Sequence, residues 1–400
     1  MNSSFLICNW YEKNKFLLAY SIENVFIWDS KSTFSSLDFF IQSNKGKHIF
    51  SFITYDFKNQ IEVLNSLNPQ MFDLPLLCFW TAKSVVLFDE KSKKFLEGDK
   101  IQFNKNINNC IKKFFTELKS TNKGNFFPQI SKKEYIEKVK NIQNEIQLGN
   151  TYEVNFCQLF RSDKNTNISD SLAFYGKISK ELKAPFSCYL NWDNFELFCA
   201  SPERFFKTEG NKIISQPMKG TSPRGKNQIE DEMLYQKLKT NEKELSENRM
   251  ITDLVRNDLS KFALKNSVKV EELCAVYSFT NVHQMISTIS CLFDKNIDFS
   301  TILKALFPMG SMTGAPKLST MKIIEEHEGF KRGLYSGSVG FIKPNGDMDF
   351  NVVIRSLFRD KKTNTIFCPV GGAITSASIP DMEYEECLVK IAKLLSLFNE

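Results

Sequence analysis

Lys219 lies in the run Ile214-Ser215-Gln216-Pro217-Met218-Lys219-Gly220-Thr221-Ser222-Pro223-Arg224-Gly225, between an apolar strand pattern and a turn. An amine there is pinned at a strand end and faces whatever the turn closes. Lysine becomes a nucleophile when burial or neighbouring cations lower its pKa. Most lysines beside turns are solvated surface groups instead, so the surrounding residues decide between the two readings. Two Glu-x-x-Glu pairs, Glu244 with Glu247 and Glu383 with Glu386, each fall inside a helical pattern. Residues three apart share a helix face, so each pair presents two carboxylates side by side. Taken singly, either pair reads as an exposed acidic face. If the two helices meet, four carboxylates converge on one point. An all-oxygen set selects a hard divalent ion such as Mg2+, which keeps waters and binds through few carboxylates plus the substrate.

Glu203, in Ala200-Ser201-Pro202-Glu203-Arg204-Phe205, lies on the first arm of a hairpin spanning Phe195 to Met218, with its turn near Glu209-Gly210-Asn211. A three-residue loop at Gly210 to Lys212 sets Glu203 opposite Lys219 as a cross-strand pair. A two-residue loop turns those partners to opposite faces. A carboxylic acid beside the amine moves protons; the alternative is a structural ion pair. The loop Phe307-Pro308-Met309-Gly310-Ser311-Met312-Thr313-Gly314-Ala315-Pro316-Lys317 feeds a helix whose first amides are available to an anion. Its glycine spacing is neither a Walker motif nor a dinucleotide fingerprint. Val370-Gly371-Gly372-Ala373-Ile374 offers a second close backbone approach. Arg355 ends the strand-like run Asp349 to Arg355 with a group shaped for bidentate carboxylate recognition.

The elements that must position these groups follow from periodicity. Residues 1 to about 125 read as short apolar strands at 16–20, 25–28, 48–54 and 84–88, and the loop-like Ser120-Thr121-Asn122-Lys123-Gly124-Asn125 marks a boundary. Ser131 starts a helix to about Leu148 with Glu134 as its capping-box partner, and Tyr135, Val139, Ile142 and Ile146 form its apolar stripe. Strands follow at 152–161, 186–192, 195–207 and 212–218, then one long helix from Ile229 to about Ala263. Strands at 268–279 and 284–293 precede helices at 300–306 and about 316–326. A closing helix begins at Pro380, with Tyr384, Leu388, Ile391, Leu395 and Phe398 as its stripe and Glu383, Glu386 and Lys390 beside it. Strands dominate and helices cluster, which points to α+β with antiparallel sheets.

Composition bounds the rest. The chain has 400 residues, 42% apolar and 24% charged, with a net charge of +6. The positive charge is dispersed, with no Lys/Arg block that grips nucleic acid. Ten cysteines occur without a CxxC pair, so neither a zinc site nor a disulfide framework is indicated, and free thiols fit a reducing cytosol. No leader or membrane-length apolar run is evident, so a soluble cytoplasmic protein is expected.

Together these segments resemble the chorismate-utilising enzyme family, from about Ser131 to the C-terminus. The matching blocks, in order, are Tyr152-Glu153-Val154-Asn155, Ser201-Pro202-Glu203-Arg204, Lys219 to Gly225, Glu247-Asn248-Arg249-Met250-Ile251 and Asp253-Leu254-Val255-Arg256-Asn257-Asp258-Leu259. They continue with Gly310 to Lys317, Ser336-Gly337-Ser338-Val339-Gly340, Asp349 to Arg355, Gly371-Gly372 and Glu383-Tyr384-Glu385-Glu386. The resemblance implies two large antiparallel β-sheets packed as a sandwich with helices outside. It implies a catalytic region over 126–400, after a reduced β-rich N-terminal region over 1–125. It implies Mg2+ held directly by Glu247 and Glu386, with Glu244 and Glu383 assisting through water. Arg355, Lys390, Tyr335 and the Gly371-Gly372 amides are then the contacts to the substrate's carboxylates. Thr221, Ser311, Thr313 and Gly337 line the site, and Glu203 is the general acid/base.

Within that family, lysine before Gly220-Thr221 resembles the aminodeoxychorismate synthase branch, where anthranilate, isochorismate and salicylate synthases carry alanine. That branch implies a covalent route from chorismate and ammonia to 4-amino-4-deoxychorismate, toward 4-aminobenzoate and folate. The lysine amine adds at C2 as the C4 hydroxyl leaves, then ammonia adds at C4 and displaces it. The route needs a neutral amine, so a depressed pKa is expected at Lys219. No glutaminase-type nucleophile elbow is present, which implies a separate glutamine amidotransferase subunit as the ammonia source. The alternatives are anthranilate synthase component I or another chorismate-utilising enzyme, and a non-catalytic chorismate-binding subunit. Three departures from the family pattern stand out. Gln284-Met285-Ile286-Ser287 replaces His-Leu-Val-Ser, with His283 one place earlier, and Ala373 and Met309 stand where glycines are usual. The N-terminal tryptophan-feedback motif of anthranilate synthases is not evident.

Overall fold

Alternation along the first strand, Phe5–Cys8, already divides the interior in two. Phe5 and Ile7 enter one apolar cluster while Leu6 and Cys8 enter another. The computed structural model describes residues 4–98, 104–117, 124–280 and 282–398. The Ser120–Lys123 part of the expected boundary lies outside the described residues.

Phe5–Cys8 pairs with Phe16–Ile27 on one side and with Phe186–Trp192 on the other. From Phe186–Trp192 the ladder runs through Phe195–Ser201, Ser356–Asp360, Thr365–Ile374 and Glu153–Ser162. From Phe16–Ile27 it runs through Leu77–Phe88, Ile49–Ile53, Ser338–Ile342, Met348–Asn351 and Arg204–Glu209. It continues through Lys212–Gln216 and Val282–Leu292 to Lys269–Ser278. Each of these ladders is antiparallel, and the fold is α+β as expected. The two faces are halves of one continuous ribbon turned back on itself, so strands from the first 125 residues hydrogen-bond to strands far along the chain.

Residues from both halves fill the inner core, where Phe52 meets Trp192 edge-on at 5.3 Å. The outer face of the Glu153–Ser162 half is covered by helices Asn104–Phe114, Lys132–Gln147, Ser171–Leu182 and Pro380–Ser396. Among the described residues no helix is long and apolar enough to cross a membrane, and all ten cysteines are free.

The capping box at Ser131 forms, with both reciprocal bonds to Glu134. The long helix expected over 229–263 is instead two helices, Gln228–Lys239 and Glu242–Ser260. The break falls where the Asn241 side chain accepts from the Glu244 amide, a fresh N-cap inside a pattern that reads as continuous. Helix Phe34–Ser43 also forms, among residues read as strands and turns.

Candidate active site

Lys219 sits in a β-bulge. The strand Met218–Pro223 pairs with Val282–Leu292, with Met218 opposite Ile286 but Thr221 opposite Gln284, so one extra residue is inserted between them. A bulge re-aims a side chain that a regular strand would turn elsewhere. Gly220 permits it, with φ +87° and the Glu244 carboxylate only 3.0 Å from where a Cβ would stand. The re-aimed ammonium lies 2.6 Å from Glu153 Oε1, with Glu153 fully buried and the Lys219 side chain 9% exposed. The expected depression of its pKa is not found. Burial alone would lower it, but the carboxylates of Glu153, Glu247 and Glu203 together outweigh burial and hold the amine above the ordinary lysine range.

The hairpin carrying Glu203 turns through two residues, Gly210 and Asn211, with Glu209 opposite Lys212. A bulge between Arg204 and Lys207 then sets Arg204 opposite Gln216, so Glu203 is not the ladder partner of Lys219. The expected single arm 195–207 is also interrupted, because Pro202 and Glu203 stand between Phe195–Ser201 and Arg204–Glu209. Glu203 nevertheless remains close enough for its charge to act on Lys219. Its carboxyl is buried and pushed up to about 7, despite a hydrogen bond from Ser311 Oγ at 2.6 Å and the nearby Lys219 charge. A carboxyl poised there is a proton donor near neutral pH. A cavity with room for about one water lies against Glu203, Ser311, Gly310 and Asp258.

The two acidic helices do approach one another, but their four carboxylates do not converge on a single point. Lys243 Nζ stands between them, 3.1 Å from Glu383 Oε1 and 3.8 Å from Glu247 Oε1. Lys390 Nζ pairs with Glu386 Oε1 at 2.6 Å and donates to the Gly371 carbonyl at 2.9 Å. Glu247 and Glu383 are the buried members, whereas the Glu386 side chain is 48% exposed. Burial pushes Glu247 up to about 7. Gly372 opens onto this cluster: a Cβ there would stand 3.4 Å from Lys390 Nζ and 3.7 Å from Glu383 Oε2.

Arg355 does not end a strand. The strand stops at Asn351, and Arg355 follows in a left-handed conformation, φ +51°. Its guanidinium donates to the Lys390 carbonyl at 3.3 Å, which joins it to the closing helix beside Glu386. The Tyr335 hydroxyl, buried, meets Cys157 Sγ at 3.8 Å. Thr221 is exposed and accepts from Gln284 Nε2 at 3.2 Å. Ser311 is engaged by Glu203. Thr313 is buried and turns its hydroxyl back to the Met309 carbonyl at 3.1 Å. Gly337 is committed to packing as well, since a Cβ there would meet the Ile53 carbonyl at 2.2 Å. The loop glycines likewise serve close approach. A Cβ at Gly310 would meet Leu254, and one at Gly314 would stand 1.9 Å from the Glu153 carbonyl.

Sequence reasoning missed Glu153 as the partner of Lys219, although it lies in the Tyr152-Glu153-Val154-Asn155 block. The available signal was an acid inside an otherwise buried strand. It also missed Lys243, one turn before Glu247, and the fully buried Arg332. Arg332 pairs with Glu328 at 2.6 Å and donates to the Met312 and Asn155 carbonyls at 2.7 Å each. It thereby ties the glycine loop to the strand that carries Glu153.

Residues 10–396 match the family described as chorismate binding enzyme. The chain belongs to the chorismate-binding enzyme family. A probable chloroplastic aminodeoxychorismate synthase from Oryza sativa subsp. japonica is 41% identical over 279 residues, 69% of this chain and 31% of that relative. Aminodeoxychorismate synthase component 1 of Escherichia coli K12 is 36% identical over 266 residues, 66% of this chain and 58% of that relative. The match therefore spans about a third of the plant relative and somewhat over half of the bacterial one. The crystal structure of anthranilate synthase component I from Streptococcus pneumoniae superposes with a TM-score of 0.81 at 21% identity, covering 96% of this chain and 92% of that one, and shares the fold.

In this member of the chorismate-binding family, the acidic cluster has the chemistry to accept a hard cation. Its donors are all carboxylate oxygens, and Glu247 Oε1 is buried without a hydrogen-bond partner. Lys243 supplies the cationic charge at that spot. Among the described residues no three acidic, cysteine or histidine side chains stand in a ready-made metal cage.

Proposed function

We propose that this chain is the chorismate-binding component of an aminodeoxychorismate synthase, converting chorismate and ammonia to 4-amino-4-deoxychorismate. The observation that carries the reading is a bulge-aimed, nearly buried lysine amine flanked by two buried carboxyl groups of different character. Glu203 is held near-neutral by burial and serves as proton donor to the departing C4 hydroxyl. Glu153 holds the amine in place. The names of the curated relatives support the same reaction.

Arg355 and Lys390, with the backbone at Gly371 and Gly372, bind the carboxylates of chorismate, and Tyr335 closes the pocket behind them. Mg2+ is the cation this reading assigns to Glu247 and Glu386, with Glu244 and Glu383 assisting; when bound it supplies a positive charge that anchors a substrate carboxylate. The ammonia comes from a separate glutamine amidotransferase subunit, and the free thiols fit a cytoplasmic setting. In this reading the product feeds 4-aminobenzoate and folate synthesis.

Incubation with chorismate, Mg2+ and an ammonium salt, followed by product identification, tests this. The expected product is 4-amino-4-deoxychorismate. Anthranilate as the main product overturns the reading in favour of the anthranilate branch, and no turnover points to a binding subunit.

A further inference from the structure

Glu153 has no assigned part in the chemistry, yet it is the residue in ion-pair contact with the amine. Its Oε1 lies 2.6 Å from Lys219 Nζ, and its Oε2 is buried without a hydrogen-bond partner. The backbone that carries the carboxylate is fixed. Its residue lies in the ladder opposite Ala315, Thr151 Oγ1 donates to its carbonyl at 3.1 Å, and the bare Gly314 backbone is pressed against that carbonyl. We propose that Glu153 is the base of the reaction, taking a proton from Lys219 as the amine attacks and returning it when the amine is released. This rests on the reading of Lys219 as nucleophile.

The physical reason is the burial of both partners. An ammonium cannot attack, because its lone pair is held by a proton. Moving that proton 2.6 Å to Glu153 turns a buried ion pair into a neutral amine and a carboxylic acid. No net charge enters or leaves, and two desolvated charges vanish, which a low-dielectric site favours as the substrate ring excludes water. The surrounding groups then need not lower the amine's pKa in the resting enzyme, which resolves the conflict between a charged Lys219 and a nucleophilic one. The charged groups facing Lys219 are Glu153 from its strand, Glu203 from the hairpin, Glu244 and Glu247 from the Glu242–Ser260 helix, and Glu386 from the closing helix.

The steps balance. Glu153 accepts a proton from Nζ, the freed lone pair forms the N–C2 bond, and the two conjugated ring double bonds both shift by one position as the C4–O bond breaks. Glu203 gives its proton to the leaving hydroxyl, which departs as water. Ammonia then forms the N–C4 bond, both double bonds shift back, and the N–C2 electrons return to Nζ. Glu153 restores the proton to Lys219, and the proton on the new amino group returns Glu203 to its acid form through solvent.

The test reads Lys219 in two ways. First, the free protein is pulsed with an amine-acylating reagent across pH and Lys219 labelling is measured by mass spectrometry. Glu153→Gln, which keeps shape and loses the charge, is expected to move the midpoint down by about one pH unit or more, since a unit corresponds to a single modest charge interaction. An unmoved midpoint overturns the proposal. Second, turnover of chorismate with ammonium is measured in Glu153→Ala with and without added formate. The expected result is a loss of about 10²–10⁴-fold, as for removal of a general base, partly restored by formate, while Glu153→Gln, which leaves no hole, stays unrescued. Wild-type turnover in Glu153→Ala overturns the base role alone. No aminodeoxychorismate from the wild-type chain overturns the function, and the base role with it.

Discussion

Ser311 Oγ donates to Glu203 Oε1 at 2.6 Å, so the loop that begins at Gly310 fixes the acid that the broken hairpin delivers. Burial still dominates and pushes the carboxyl up to about 7. Folded Glu203 therefore keeps its proton well above the 4.5 of an ordinary glutamate. Because the unfolded chain ionises this carboxyl first, stability falls as pH rises from 4.5 to about 7, and ionisation in the folded state then removes the proposed proton donor. We expect kcat/KM for chorismate to fall as pH rises through about 7. Glu203→Gln should lose that limb, with a rate lower by about 10²–10⁴-fold. An unchanged limb in the variant would assign the proton to another group.

Lys219→Ala should abolish aminodeoxychorismate formation while leaving chorismate bound. Product chromatography and equilibrium dialysis separate the two effects. Retained formation at ordinary ammonium concentrations removes the covalent step.

Lys243 occupies the charge position between Glu383 and Glu247. Lys243→Met should therefore raise the affinity for Mg2+ or its spectroscopic substitute Mn2+. If Glu244 and Glu383 assist the proposed Mg2+ site, Glu244→Gln or Glu383→Gln should weaken binding by about 10–100-fold. Titration followed by Mn2+ resonance checks both signs. A Lys243→Met variant that binds Mn2+ no better than wild type would show that the lysine does not compete for the site.

Arg332 and Glu328 are each 1% exposed in their side chains. Arg332→Met would leave the Glu328 carboxylate without its counter-charge in the interior. The expected loss is about 3–5 kcal/mol, read from the urea midpoint of unfolding. A loss under 1 kcal/mol, on the order of a surface pair, would mean that water reaches Glu328.

Much of the architecture was legible because it depends on local pattern. The Ser131 and Glu134 pair specified a helix start through hydrogen bonds spanning three residues. The stripe from Tyr384 to Phe398 specified the closing helix through its period. The site was less legible because its geometry depends on departures from regularity. The bulge at Lys219 and Gly220 and the interruption at Pro202-Glu203 leave no periodic trace, so a regular hairpin could not show that Lys219 meets Glu153 rather than Glu203. The sign of the charge effect at Lys219 was missed for the same reason. It depends on acids brought from several separate elements, and pairwise spacing along the chain does not encode their sum. The break at Asn241 was readable in principle, since Asn-x-x-Glu is a start signal, but the surrounding helical pattern masked it.

The pairing of Phe5–Cys8 with Phe186–Trp192 also sets a schedule for synthesis. The first strand leaves the ribosome with one long edge unpaired, and its second partner arrives more than 170 residues later, about ten seconds or more at roughly 5–20 residues per second. Through that interval the nascent amino-terminal hairpin presents an apolar edge to any other extended chain. Yield in cells should therefore respond to chaperone capacity and to translation speed before it responds to anything at the catalytic centre.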